Sequence, residues 1–483
     1  MTLSDMLIRL TGFLCAVLFS CDSTFASDDL DLFEDLESSE SEVRTPEAVE
    51  KSGNPWVNGL LDNFEGSLRL RYHHFFDKMD SSIECDNNKD VGEALLEFST
   101  STGTSSVNLF TSGWVETGTQ DDTYRNVSNW MQDKEYYRRH LEINELYAVY
   151  SGENTDFTIG KKKFTNGICT LISPSDRFRP MDMTDPTDAK QFGIWQARAD
   201  YFQDTTRLEF AVLPVNQRNK EPSPLSRWWG ERTYSTQTSL PSSLPMTKGS
   251  VTREDPDISG KNMGYFIKAK TTLSGWDLFA SMDSGPNPYT VVKKEGDSYF
   301  EKIVRVYSLA GGFSTTVNKF EFHGEALYNV SENNKDDDYV SWAAGVTYTL
   351  NDTAALIRMD QIVLTMEYAN EIITDRQSAE NYTQSSQNGR PGQNDILARL
   401  QLKYNESLKF ENLFHNQLSD NAWMNRFKIS YRLREGLTLA CAFEIFEGDT
   451  DDIESSDEYS FDNISYGHWD QNDRIVTSLK YEF

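Results

Sequence analysis

From Phe64 onward, polar and apolar residues alternate with a period of two. Phe64, Gly66, Leu68, Leu70, Tyr72 and His74 share one parity, and Glu65, Ser67, Arg69, Arg71 and His73 the other. Successive strand side chains point to opposite faces, so this segment has an apolar row and a charged row. The pattern recurs near 92–101, 106–117, 137–150, 155–164, 194–203, 206–215, 262–273, 276–283, 301–317, 319–329, 339–350, 361–373, 394–405, 408–417, 423–434, 437–446 and 473–483. With the first segment this makes about 18 strands, each near the ~9–11 residues that cross a bilayer at a tilt. Connections after even strands are short, such as SGEN, QDT, VNK and REG. Those after odd strands are long: 118–136, 165–193, 216–261, 284–300, 374–393 and 447–472, with 418–422 the short exception. The 351–360 link is longer than a tight turn. A soluble β-sandwich has no reason to sort loop length by parity. An all-β fold follows: a transmembrane antiparallel β-barrel with short periplasmic turns, long outer loops and both ends in the periplasm.

Composition agrees. The 483 residues carry a net charge of −30, only 38% are hydrophobic, and 12% are aromatic. After residue 20 no run approaches the ~18 apolar residues of a membrane helix. The acidic balance excludes nucleic acid as a partner, because phosphate binding wants clustered Lys and Arg. The acidic segments 332–338 and 447–458 read as solvated loops, or as loops bridged to anionic headgroups by divalent cations.

Arg9, the apolar run Leu10 to Phe19, and Thr24-Phe25-Ala26 form a secretory signal pattern. The expected organisation is a signal peptide at 1–26, removed on export, an acidic and disordered or weakly helical periplasmic extension at 27–60, and the barrel at 61–483. The expected location is the outer membrane of a Gram-negative bacterium. Cys15 and Cys21 would leave with the signal. Cys85 and Cys169 fall in outer loops and can pair in an oxidising compartment. Cys441 reads as a small lipid-facing filler. No metal-like Cys/His spacing occurs, and no cofactor is expected.

With polar rows inward, Arg69, Arg71, Arg399, Lys403, Arg426, Lys428, Arg432, Arg434, Arg474 and Lys480 form a basic wall, interrupted by Glu411 and Glu444. Asp277, Asp283, Glu321, Glu325, Glu367 and Glu371 form an acidic wall opposite. Opposed charge rows tune selectivity in a pore. The Pro-rich loops 165–193 and 216–261 cannot join the ladder and are expected to fold into or over the lumen. Arg227, Trp228 and Trp229 in the second loop read either as an interfacial anchor or as stacking faces for a sugar. His73, His74, His140, His323, His415 and His468 have no accompanying serine motif, so they read as wet barrel residues and the chain as no enzyme.

In the last strand, Ile475, Thr477, Leu479, Tyr481 and the terminal Phe483 share a face. This resembles the C-terminal assembly signal of outer-membrane proteins, which implies the barrel-assembly machinery and outer-membrane lipids as partners. Glu145-Leu146-Tyr147, Gly160-Lys161-Lys162, residues 173–202 and 211–223, and the end segments 446–449 and 465–473 resemble the alginate-export and related porin-like proteins. The resemblance implies a channel that passes or exports a polar solute or polysaccharide. It also implies that Asp176, Arg179, Asp182, Asp185 and Asp188 lie in a loop folding toward the pore. A structural or adhesion barrel with a plugged lumen is the alternative.

Overall fold

The computed structural model describes residues 55–78, 87–120, 124–127, 131, 137–220, 222, 226–229, 251–295, 298–379, 382–383, 392–419, 421–448 and 466–483. Its barrel strands are β1 (Glu65–Phe75), β2 (Asp90–Gly103), β3 (Val107–Gly118), β4 (Leu141–Ser151), β5 (Thr155–Lys162), β6 (Ile194–Gln203), β7 (Thr206–Leu213), β8 (Gly264–Leu273), β9 (Trp276–Glu295), β10 (Ser298–Val317), β11 (Phe320–Ser331), β12 (Asp338–Thr349), β13 (Gln361–Asp375), β14 (Asp395–Asn405), β15 (Leu408–Gln417), β16 (Ala422–Arg434), β17 (Leu437–Glu447) and β18 (Arg474–Glu482). Each pairs antiparallel with its sequence neighbours. β18 closes on β1, with Leu479 opposite Leu70 and Lys480 opposite Arg69. The 18-stranded antiparallel barrel is therefore closed, and each of its strands is paired on both sides.

The seam ends at Phe483. Its N–H donates to Gly66 O and its carbonyl accepts from Gly66 N–H, both at 2.9 Å. A Cβ at Gly66 would stand 2.7 Å from the Phe483 ring, so the absent side chain lets that ring lie over the seam.

Outward rows are apolar and uncovered by protein: Ile159 is 67% exposed, Met282 60% and Leu309 54%. Around the turn end they finish in aromatic pairs, including Phe320 on Tyr348 at 4.2 Å, Tyr150 by Phe157 at 6.5 Å and Tyr481 by Phe483 at 5.9 Å. Inward rows are polar and largely buried. Tight turns are made by residues that tolerate positive φ, such as Asp204, Ser274 and Asn318.

Several boundaries differ from the sequence reading. β4 starts at Leu141 instead of 137. The 284–300 segment is not a long loop: β9 and β10 run on past the barrel as a hairpin, with a register shift between Pro286 and Thr290. Val251–Glu254 pairs parallel with Tyr299 to Lys302, and Tyr382–Thr383 pairs with Val291 and Val292, forming a small sheet at the loop end. Alternation cannot reveal this, because strand and hairpin look alike to a period of two. The 351–360 link contains a helix, α2 (Asn351–Leu356), whose Leu350 and Ala354 pack with Ile362 and Leu400. At the other end, residues expected in the disordered extension form α1 (Pro55–Asp62). It is tied to β2 by Thr100 Oγ1 donating to Leu60 O at 2.6 Å. Residues 1–54, with the signal-peptide reading, and Cys85 lie outside the described residues. The 332–338 segment is only partly solvated, since Asp336 and Asp337 are buried and Asp337 accepts from Gln377 N–H at 2.8 Å.

Candidate functional site

The loop between β5 and β6, residues 163–193, turns inward and crosses the barrel as a strap. Its first half lies on the acidic wall. Glu325, midway along β11, accepts from the N–H groups of Ile168 (2.6 Å), Cys169 (3.2 Å) and Ser175 (3.0 Å) and from the hydroxyls of Ser173 and Ser175. Glu367 on β13 accepts from the N–H groups of Thr170 (2.8 Å), Leu171 (3.1 Å) and Ile172 (2.9 Å) and the Thr170 hydroxyl (3.0 Å). An irregular segment inside a barrel has no ladder to satisfy its amides, and two buried carboxylates satisfy them instead. Arg177 then pairs with Asp283 of β9, Nε to Oδ1 at 2.7 Å.

The second half reaches the basic wall. Met181–Asp182 and Lys190–Gln191 pair as a miniature hairpin. Its tip is the Asp-Pro-Thr-Asp sequence, where Asp185 caps a one-turn helix, Pro186–Asp188, by accepting from Thr187 N–H at 3.2 Å. This turn aims two carboxylates at the arginines. Asp185 pairs with Arg474 at 2.8 Å, and Asp188 pairs with Arg71 and, at 3.6 Å, with Arg69. Arg426 donates to Thr187 O at 2.6 Å. Glu444, fully buried, joins Arg474 (2.6 Å) and Arg426 (3.1 Å). At the hairpin base Asp182 pairs with Arg138 at 3.1 Å, and Lys190 with Glu116 at 3.3 Å. Asp176 accepts from Gly167 N–H at 2.9 Å and pairs with Arg179 at 3.1 Å. The strap thus presents donors to the acidic side and carboxylates to the basic side.

The two walls accordingly divide by height. Arg71, Arg399 and Arg474 on one side and Asp283, Glu325 and Glu367 on the other are buried at strap level. Glu371, nearer the loop end, accepts from Gln393 Nε2 at 3.0 Å. Toward the turn end Lys403, Lys428, Arg432 and Lys480 on one run of strands and Asp277 and Glu321 on another are all solvent-accessible. Arg434 leaves the wall. A register shift after Arg432 places it opposite Leu437, on the outward row of Leu439 and Tyr481. The acidic side is also more mixed than the sequence reading gave. Lys268 and Lys270 of β8 share the inward row with Phe266 and lie opposite Ser281 and Phe279.

The loop mouth is narrowed by a second insertion. Arg227 is fully buried, donating to Asn472 Oδ1 (2.6 Å), Gln471 O (2.8 Å), Asn88 O and Asp77 O (3.2 Å each), with its guanidinium 3.6 Å from the Phe75 ring centroid. Trp228 packs inside with Phe75, Phe446 and Trp469, whose Nε1 donates to Trp228 O at 3.0 Å. Trp228 is therefore neither an interfacial anchor nor an open stacking face. Trp229 closes the same turn, and its side chain lies outside the described residues. Beside this cap, burial pushes the Asp473 carboxyl up to about 7. The Phe446 amide opposes that shift, and Glu447, Asp470 and Asp77 add to it.

The five histidines with described side chains are all paired, where the sequence reading made them wet barrel residues. His73 pairs with Glu93 at 3.1 Å, His323 with Glu367 at 2.9 Å, and His415 with Asp395 at 2.9 Å, all inside. His140 bonds Glu116 O at 3.0 Å and stacks on Tyr124. His74 beside Asp90 is the most exposed of the described histidines, at 44%. Cys169 is a free thiol buried within the barrel, and Cys441 is free and half-buried. Cys169 joins His323 and Glu367 in a cluster that sequence spacing hides, because its members come from three distant segments.

No family model and no curated protein matches the chain. Among solved structures, OccAB3 of Acinetobacter baumannii aligns at 11% identity and a TM-score of 0.45, covering 87% of this chain and 98% of that one. OccK3 (OpdO) of Pseudomonas aeruginosa aligns at 11% and 0.42, covering 88% and 97%. A mutant of Rh. blastica porin aligns at 8% and 0.35, covering 87% and 99%. At these values the likeness is one of general barrel form, and the architecture rests on the strand pairing itself.

Proposed function

We propose that this chain is an outer-membrane channel for polar solutes, constricted at mid-height by the 163–193 strap. The observation that supports this reading most is the charge match of the strap to both walls. A loop with donors for the acidic side and carboxylates for the basic side holds a fixed place across the lumen. The exterior supports a membrane setting, since a continuous apolar face bounded by aromatics is costly in water. Toward the turn end, accessible cations oppose accessible carboxylates, an arrangement suited to small charged or hydroxylated solutes. A polysaccharide is the polymer form of the same proposal, and it rests on the sequence resemblance alone. Assembly through the Tyr481 and Phe483 terminus belongs to the same proposal. No catalytic role is proposed. The five histidines with described side chains are engaged by carboxylates or, for His140, by a backbone carbonyl.

The aromatic cap of Trp228 and Trp469 favours a second reading, a structural barrel with a closed lumen. Reversal potentials across a planar bilayer under a salt gradient separate the two. A channel gives steady conductance with charge selectivity. A folded, heat-modifiable barrel without conductance supports the closed barrel.

A further inference from the structure

Gly345 leaves a gap in the inward row of β12. A Cβ there would stand 2.5 Å from Glu367 Cγ and 2.6 Å from His323 Nε2. Because the side chain is missing, His323 of β11 and Glu367 of β13 meet across the intervening strand, 2.9 Å apart. The strap brings a third group to the same place. Glu325 holds the Cys169 amide, and the Cys169 thiol is free, 3.8 Å from Ala343 O. One ligating atom from each of Cys169, His323 and Glu367 lies within 4.8 Å of the others, and all three residues are buried.

Two independent observations mark this as a cation site. The first is charge. Among the described residues, every donor to Glu325 is neutral, and the one ionisable donor to Glu367 is His323. Two buried carboxylates thus receive adjacent strap residues with one imidazole, on Glu367, as the one ionisable donor to the pair among the described residues, which leaves their charge short of full compensation. The second is an orphan donor atom. Nδ1 of His323 is buried without a partner, so this fully enclosed imidazole holds one nitrogen in reserve. A buried polar atom left unpaired is costly and calls for a ligand.

We propose that Cys169, His323 and Glu367 bind a thiophilic divalent cation of the zinc type and so pin the strap to the barrel wall. Thiolate, imidazole and carboxylate are the donors zinc takes, at about 2.0–2.3 Å, so the three groups need to adjust by about 1 Å to share one ion. Three protein donors leave a fourth position for water. Binding releases one proton, because the ion takes Cys169 as thiolate, His323 as neutral imidazole and Glu367 as carboxylate. Glu367 keeps its other oxygen for the strap amides, which couples occupancy to strap position. The site stands whether or not the lumen conducts.

The test uses the full chain in detergent, stripped with a chelator and titrated with cobalt(II). One equivalent is expected to give tetrahedral cobalt spectra with a thiolate charge-transfer band, displaced by zinc. Cys169→Ser and His323→Gln should abolish the band, while Cys85→Ser and Cys441→Ser keep it. Gly345→Val, which fills the gap, should weaken zinc binding by about 10-fold or more. A folded wild-type barrel with no thiolate band overturns the proposal, as does a band that survives Cys169→Ser. Neither result bears on conductance, so failure here is distinct from failure of the channel reading.

Discussion

Arg474 shows how a sequence-visible charge acquires a different task in the fold. Its place on the inward row of the last strand follows from alternation, but its partners, Asp185 from the strap and Glu444 from β17, do not. The guanidinium is buried and ties a loop to the wall, so it is not available to a passing ion. Arg474→Met leaves Glu444 and Asp185 short of a cation in a dry site. It should cost about 3–5 kcal/mol of barrel stability, read as a lowered urea midpoint in detergent. Asp473 is the second informative residue. Its folded pKa, near 7, lies above the ordinary carboxylate value, so its protonated form belongs to the packed state. That contribution is complete at low pH and is lost as pH rises through about 7. Amide protection across 466–473, taken relative to the intrinsic exchange rate at each pH, should therefore fall between pH 6 and pH 8 (roughly the window set by that pKa), and Asp473→Asn should remove that fall.

Among the elements, the strands and the inward course of the strap were legible, and the anchors of the strap were not. Alternation locates every barrel strand because each has one face toward side chains and water and the other toward an apolar surround. It overshoots only where other physics enters, as at β4, where Arg138 and His140 fold toward Asp182 and Glu116 before the ladder begins. The strap carries no periodicity. Its prolines and Asp-Pro turn announce a loop that stays out of the ladder, but the carboxylates that receive its amides lie some 150 to 200 residues away along the chain. Glu325 and Glu367 look like pore charges in sequence and act as anchors in structure. Glu367→Gln should loosen the segment 170–172, with amide exchange there faster by about 5- to 30-fold, the equivalent of 1–2 kcal/mol. The β-strand amides of β13 serve as the unchanged reference.

At the scale of the molecule, the interior is a graded one. At strap level opposite charges are consumed by the strap. Toward the turn end they face an accessible lumen. Arg432 and Lys403 belong to this accessible tier, so replacing both with Gln should move the reversal potential toward cation preference. Arg434→Gln should leave it unchanged, because the register shift has turned that residue out of the lumen. The exterior was the most legible part of all. Its apolar rows follow from parity, whereas the interior depends on which of many charges find partners.

In the proposed channel the strap sets the size of the conducting path. Single-channel conductance of the wild type, recorded beside an Asp185→Asn/Asp188→Asn variant, tests it most directly. Freed from Arg474, Arg71 and Arg69, the strap tip should move, and conductance should rise or begin to flicker between levels while the barrel stays heat-modifiable. Equal conductance in both proteins, or none in either, would show that the strap does not set the path.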